Sequence, residues 1–536
     1  MKQSEDINDT LRKDGVDGVR TKHDRAKRFN SEADRPVVEI VGDRLVKNIE
    51  ATEAAIIADS GAPIFQRGQM LVRIVRLPRA ESQDGIRRSA NAPTICAVTS
   101  EWLRCRMNEA VRFRKRDSRA KGLVDKDPPF DYATALLSRS GQWKFPPLLA
   151  VIEAPTLRQD GTVLQVPGYD DTTGLYFDPG AMVFESIAEN PTREDALQSL
   201  DDLVDLLSGF PFVDDVAQSV ALAALLTALT RRSFPTAPMF LFDAPTRASG
   251  KSLLAKAVAQ VATGREAAGM TYSGDPDEER KRLVSLLAAG DAVLLYDNIS
   301  TPLEGDALCT ALTQQTIQDR RLGQTEMITV PTCACFLGTG NNLRVRGDLT
   351  TRVLICRIDP QVEHPEERSF DRDLLAFTRD RRASLVRAAL TILRAYVVAG
   401  RPAQPIKPFG RFEAWSDLPR AALVWLARPD PCASREMIER DDPIAEALGF
   451  VLKALFDKFG ITRFTAAEVM REALGGAATL QQALEAALPR GEIKARPIGH
   501  YLRHHKDRIV GGLRIRDTGP YQGTIRWVVE HGSSWD

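Results

Sequence analysis

No stretch of this chain approaches the roughly 20 consecutive apolar residues that a membrane-spanning helix needs, which argues against a membrane protein. The opening residues, MKQSEDINDTLRKDG, have no apolar centre and so do not read as a secretory leader. Net charge is also lacking. Seventy-two basic side chains meet 72 acidic ones, so no global basic field draws the chain to nucleic acid, and any such contact must come from local patches. Cysteine is sparse: seven residues, with no paired spacing of a metal site. Cys333 and Cys335, two apart in PTCACFLG, read as core residues on one face of a strand, and the thiol usage fits a reducing cytoplasm. What remains is 43% apolar and 27% charged over 536 residues, enough for several soluble globular domains.

The most informative stretch is Met239 to Ala255, MFLFDAPTRASGKSLLA. An apolar run long enough for one buried strand leads into a turn-forming segment, Ala244-Pro245-Thr246-Arg247-Ala248-Ser249-Gly250. Lys251, Ser252 and a Leu/Ala-rich helix follow. Strand, tight loop and helix are the setting of a phosphate-binding loop, whose backbone N–H groups and helix N-terminus converge on an anion. Lys251 is the residue to reach the β- and γ-phosphates of ATP, and the Ser252 hydroxyl the one to hold Mg²⁺. Ala244 stands where the pattern has its first Gly, so the backbone there must be ordinary.

A second apolar run, Val293 to Tyr296, ends in Asp297-Asn298. A carboxylate at a strand C-terminus suits an α/β ligand site, and Asp297 would support the Mg²⁺ or its waters. Asn298 occupies the place of the usual Glu base; it cannot take a proton, but its amide could orient a water. Glu278 and Glu279 are alternative bases, or solvated helix charges. CACFLG reads as a further strand leading to Thr339-Gly340-Asn341-Asn342. One of the two Asn residues, with Asn341 preferred, would sense the γ-phosphate. Arg352, just before the strand Val353 to Arg357, can stabilise a phosphoryl group of a neighbouring subunit; the plainer reading is an ion pair with Asp348. Arg320 and Arg321 open a hairpin and are candidates for a DNA-tracking pore or for the subunit interface.

The remainder divides by composition. Residues 1–35 read as a disordered charged tail, and 36–190 as an N-terminal α/β module, structural or a DNA collar. Residues 191–410 hold the motifs above, 411–440 are a connector, and 441–536 have the helix, strand and turn order of a winged helix. From Lys494 to Arg526, eight basic residues (Lys494, Arg496, Arg503, Lys506, Arg508, Arg514, Arg516 and Arg526) face Asp507 and Asp517. Arg503, Lys506, Arg508 and Arg514 are the candidates for DNA contact, while His500, His504 and His505 read as surface residues.

The order of phosphate loop, acidic strand end, hairpin, Asn and Arg resembles that of AAA+ ATPases. DEERKRLVSLLAAGDAVLLYDN, TQQTIQDRRLG, FLGTGNNLRVRGDLTTRVLICRIDP and FEAWSDLPRAALVWLARPDP look like the helicase-like ATPases of phages, plasmids and integrated elements. Those are related to superfamily-3 and minichromosome-maintenance-type helicases. The resemblance runs from about Pro36 to the C-terminus. It implies an α/β fold with an AAA+ phosphate-loop ATPase core between an N-terminal α/β module and a C-terminal winged-helix domain. It implies ATP and Mg²⁺ on Lys251, Ser252 and Asp297, Asn341 as sensor and Arg352 as a finger. It also implies a homohexameric ring on DNA, serving replication of a mobile element, with a separate primase as a possible partner. The expected activity is ATP-dependent DNA unwinding or translocation; the alternative is an ATP-switched origin-binding initiator that hydrolyses slowly.

Overall fold

The computed structural model describes residues 35–59, 61–76, 78–83, 86–320, 327–368, 371–436, 443–488, 492–521 and 524–532. The proposed tail, Arg321 and the hairpin tip lie outside them; of Arg320 only the backbone is described. The chain falls into two compact units, one of Met1–Leu343 with Gly347–Ser434, the other of Arg344–Arg346 with Arg435–Asp536.

The first unit is mixed α/β and built on one seven-stranded sheet. Its strands are β1 (Glu81–Gln83), β2 (Ile86–Arg88), β3 (Met239–Ala244), β4 (Ala268–Thr271), β5 (Val293–Ile299), β6 (Cys335–Asn341) and β7 (Val353–Arg357). The spatial order is β7-β3-β6-β5-β4-β2-β1. The five strands from β7 to β4 run parallel, and β2 joins β4 antiparallel. Every residue of β3 is buried, as a strand covered on both faces demands.

Helices cover the sheet. We label α1 (Arg193–Leu207), α2 (Asp215–Thr230), α3 (Lys251–Thr263), α4 (Pro276–Ala289) and α5 (Arg382–Val398). Thr192 and Asp195 form a reciprocal capping box that starts α1, and Gly290 in the left-handed region stops α4. VALAALLTAL makes α2 apolar on all sides, and the helix is buried along its length accordingly. α1, α2, α3, α5 and Trp415 share one core with β3.

Domain limits at 190 and 410 both fall inside this unit. The hairpin of β1 and β2, from the presumed separate N-terminal module, is the edge of the central sheet. The Arg67 guanidinium donates to the Leu287 carbonyl at the C-terminal end of α4, which also accepts the Gly290 N–H. The presumed connector is core as well: Trp415 is fully buried, and its indole N–H donates to the Thr227 Oγ1 at 2.8 Å. Periodicity along one segment cannot show with which distant strand that segment pairs. The region before β3 also has its own core of Leu103, Met107, Phe113, Leu136 and Phe145.

The second unit packs α6 (Pro443–Phe459), α7 (Ala466–Leu474), α8 (Ala478–Ala487) and α9 (Ala495–His504) on a three-stranded antiparallel sheet of β8 (Ile509–Val510), β9 (Leu513–Tyr521) and β10 (Thr524–His531). Leu452, Leu455, Phe464, Leu484, Ile498, Ile515 and Trp527 form its core. No helix among the described residues is long and apolar enough to cross a membrane.

Candidate functional site

The C-terminal ends of β3, β6 and β5 lie side by side, because the strands are parallel and their register pairs Ala244 with Asn341 and Gly340 with Ile299. Ligand sites of parallel sheets form at this edge. Ala244 closes β3 in ordinary extended backbone, as its side chain requires. The loop turns over Pro245, Thr246, Arg247 and Ala248, the last at φ 57°, and is tied by Ser249, whose hydroxyl donates to the Thr246 carbonyl at 2.6 Å. Gly250 has φ 99°, where a side chain is strained, and an added Cβ would come within 3.3 Å of the Phe210 ring. α3 then begins at Lys251 without a side-chain cap. Its first N–H groups have no side chain to accept them, and with the helix dipole they form an anion-attracting end.

Ser252 and Asp297, 45 residues apart in sequence, meet there: the Ser252 hydroxyl donates to Asp297 Oδ1 at 3.0 Å. Thr339 donates to the same oxygen at 2.7 Å, and its Oγ1 accepts the Asn298 N–H at 3.0 Å. This arrangement follows from an irregularity in β5. Tyr296 pairs with Gly338 and Ile299 with Gly340, so two residues, Asp297 and Asn298, oppose Thr339 alone. The extra residue is a bulge, and Asn298 takes it up at φ 59°. A bulge re-aims the side chain beside it, here Asp297.

Lys251 is buried, and its ammonium donates to the Thr246 carbonyl at 2.8 Å. Burial lowers its pKa, and nearby Asp243 opposes that shift. Asp243, also buried, accepts the Leu343 N–H at 2.9 Å and lies 3.6 Å from Arg357; burial raises its pKa. Asn341 ends β6 with its Oδ1 buried and without a hydrogen-bond partner. The exposed Asn342 is engaged: its amide donates to the Pro245 carbonyl at 3.4 Å, and its Oδ1 accepts from Arg357 at 3.5 Å. Glu278 pairs with Lys281, and Glu279 accepts the Ser273 N–H at 2.6 Å, its pKa raised by burial.

Arg352 is not brought to this cluster within its own chain. It is 6% exposed and 3.2 Å from Asp348 Oδ2, and its carbonyl accepts the N–H of Met239. Met239 is the first residue of β3, so Arg352 sits at the opposite edge of the sheet from Ser252 and Asp297. The cation that does reach Asp297 is Arg87 of β2, 4.0 Å from Oδ2 and largely exposed. Thr339, Asp243, Arg357 and Arg87 were all missed in the sequence. A polar Thr two residues before Asn341 was a usable signal for the first; Arg87 had none, because its place depends on strand pairing across some 180 residues.

On the second unit, Arg503, Lys506 and Arg508 are exposed on and after α9, and Lys506 lies 3.7 Å from Asp517. Arg514 differs from the expectation of a free phosphate ligand. Its guanidinium is held by Glu530 at 2.6 Å, and Arg516 approaches the same carboxylate at 3.3 Å. Glu530 stands outside the 494–526 window, but the register of β9 and β10 places it opposite Arg514. His505 corrects the surface reading of the three histidines. It is buried, with its ring 4.5 Å from Tyr501 and 4.9 Å from His504, because the helix ends at His504 and turns the next residue inward. Cys333 likewise precedes β6, which starts at Cys335.

No family model matches the sequence, and no curated protein does. Among solved structures the chain is similar to the apo A form of the NrS-1 C-terminal region, 10% identical over 89% of this chain and 98% of that one, with a TM-score of 0.39. It is also similar to the SCCmec type IV Cch active helicase, 12% identical over 88% and 97%, TM-score 0.32. A third likeness, to JCV helicase, is 12% identical over 44% and 67%, TM-score 0.22. At these identities no residue role is carried across.

Proposed function

We propose that the protein is an ATP-dependent DNA helicase or translocase of AAA+ type, with a phosphate loop at 244–252 and a winged-helix domain at its C-terminus. The observation that carries the reading is the meeting of Ser252 and Asp297 at 3.0 Å, beside an uncapped helix N-terminus at the C-terminal edge of a parallel sheet. The oxygen donors there suit a hard divalent cation, so Ser252 and Asp297 would hold Mg²⁺, which would neutralise phosphate charge. Residues 244–250 would cradle the phosphates through their N–H groups. Lys251 would exchange the Thr246 carbonyl for phosphate oxygen. Asn341, whose Oδ1 lacks a partner, would orient the attacking water, with Asn298 as a second amide on the bulge. Arg352 would act across a subunit seam in a homohexamer, which requires it to leave Asp348 on assembly. The work would serve replication of a mobile element in the bacterial cytoplasm, with a separate primase as a possible partner.

The test is ATP turnover with and without single-stranded DNA, together with strand separation on a forked duplex. Wild-type activity that vanishes in Lys251→Ala establishes the motor. The absence of a carboxylate at position 298 favours one second reading: an ATP-switched initiator that binds origin DNA and turns over slowly. Tight DNA binding with negligible turnover would establish it.

A further inference from the structure

Arg231 and Arg232 follow α2 side by side, and both are buried. Arg231 is satisfied: it donates to the carbonyls of Ala334, Phe234 and Thr332 at 3.1, 2.8 and 2.9 Å. Buried Arg382 is likewise placed on the carbonyls of Val261, Glu153 and Ala262. Arg232 has nothing comparable. It is 9% exposed, and its Nε is buried without a hydrogen-bond partner. The carboxylate close enough to influence it, Glu153, is held by Arg265 at 2.9 Å and by Arg76 at 3.5 Å. A desolvated guanidinium with no carboxylate hydrogen-bonded to it is costly, and a bound ion, water or ligand is what commonly satisfies such a group.

Arg232 lines a cavity of about 510 Å³, within the size range of small-molecule sites. Phe234, Pro235, Leu149 and Leu418 supply apolar wall, and Arg401 and Asp417 stand exposed among the lining residues. Arg158, another lining cation, is already neutralised by Asp170 at 2.7 Å. A buried guanidinium, apolar wall and exposed charged groups together select an acid with a compact apolar body. Guanidinium pairs with carboxylate and phosphate oxygens by two parallel hydrogen bonds. We infer that this cavity binds a small organic oxyanion, a phosphate monoester or a carboxylate, with Arg232 as its anchor. The site is separate from the Ser252–Asp297 cluster and does not depend on the nucleotide reading. Gln315, Thr316 and Pro331 of the lining also form the base of the hairpin Thr316–Arg320 and Met327–Pro331, so occupancy would stiffen that hairpin.

The experiment uses the full chain carrying Lys251→Ala, so that the phosphate loop does not supply the signal. Calorimetric titration with phenyl phosphate, and separately with benzoate, should show binding by at least one probe, lost on adding Arg232→Gln. Because the Arg232 guanidinium holds no protein group in place, that variant is expected to fold. Cys333 lines the same cavity and reports the location. At about four times the dissociation constant the probe should slow its alkylation about fivefold, while exposed Cys105 is unaffected. Absence of binding by both probes at millimolar concentration, or equal binding by Arg232→Gln, overturns the assignment.

Discussion

Asn298 illustrates how one residue can hold two jobs. In the proposed chemistry it replaces a base; in the fold it absorbs a left-handed φ of 59° and gives its N–H to Thr339. Asn tolerates this region better than other residues with a side chain, and Gly tolerates it best. Asn298→Gly should therefore fold with stability near wild type, whereas Asn298→Ala should lose about 1 kcal/mol, read from urea unfolding of the full chain. If the bulge is what aims Asp297, both variants keep nucleotide affinity closer to wild type than Asp297→Ala does. The placement of Lys251 and Ser252 after a strand and a turn-forming loop, and of Asp297 at the end of an apolar run, was legible in the sequence. Arg87 was not, because its place arises from an edge pairing that linear spacing does not encode, and for Thr339 the sequence offered only a polar residue two before Asn341.

Among the elements, α7 shows how local chemistry fixes a helix start. Thr465 accepts the Glu468 N–H, and Glu468 returns a carboxylate to the Thr465 N–H at 2.7 Å. These backbone and hydroxyl bonds hold the Glu468 pKa below its ordinary 4.5. A depressed folded pKa stabilises above the unfolded value, and the gain drains away as pH falls through the folded value. Thr465→Ala should thus cost about 1 kcal/mol near neutral pH and less in acid, measured by denaturant unfolding of this unit at two pH values. The strand pair β9 and β10 teaches a different lesson about charge. Arg514 and Arg516 share Glu530, so the basic patch is smaller than its residue count. Neutralising Arg503, Lys506 and Arg508 together should lower the salt slope of DNA binding by about one unit for each phosphate that no longer meets a cation. Arg514→Gln should leave it nearly unchanged. A slope that stays the same in the triple variant removes DNA from the second unit.

For the whole molecule, the sheet edge decides which pieces can stand alone. β2 covers β4, Arg88 pairs with Asp291 at 2.9 Å, and Glu153 meets Arg265. Removing residues 36–190 would strip these partners and leave Asp291 and Arg265 uncompensated against a bare strand. The truncated protein should be insoluble, or unfold without a cooperative transition. Residues 443–536 contain a closed core of their own and should melt cooperatively when expressed alone, as followed by circular dichroism. A soluble, cooperatively folding chain lacking 36–190 would show that the edge hairpin is dispensable.

Sequence by itself determined the local elements: the buried strands, the loop and helix that carry Lys251 and Ser252, the stops at glycine, and a separate C-terminal unit. Apolar period, turn residues and capping groups act within a few residues of one another, so they can be read along a line. Tertiary structure alone decided which strands are neighbours. It set Ser252 against Asp297, delivered Arg87 from the N-terminal side and left the Arg232 Nε buried without a hydrogen-bond partner. Those outcomes depend on strand register and on the balance of charge in a shared interior, quantities that exist only once distant segments have packed.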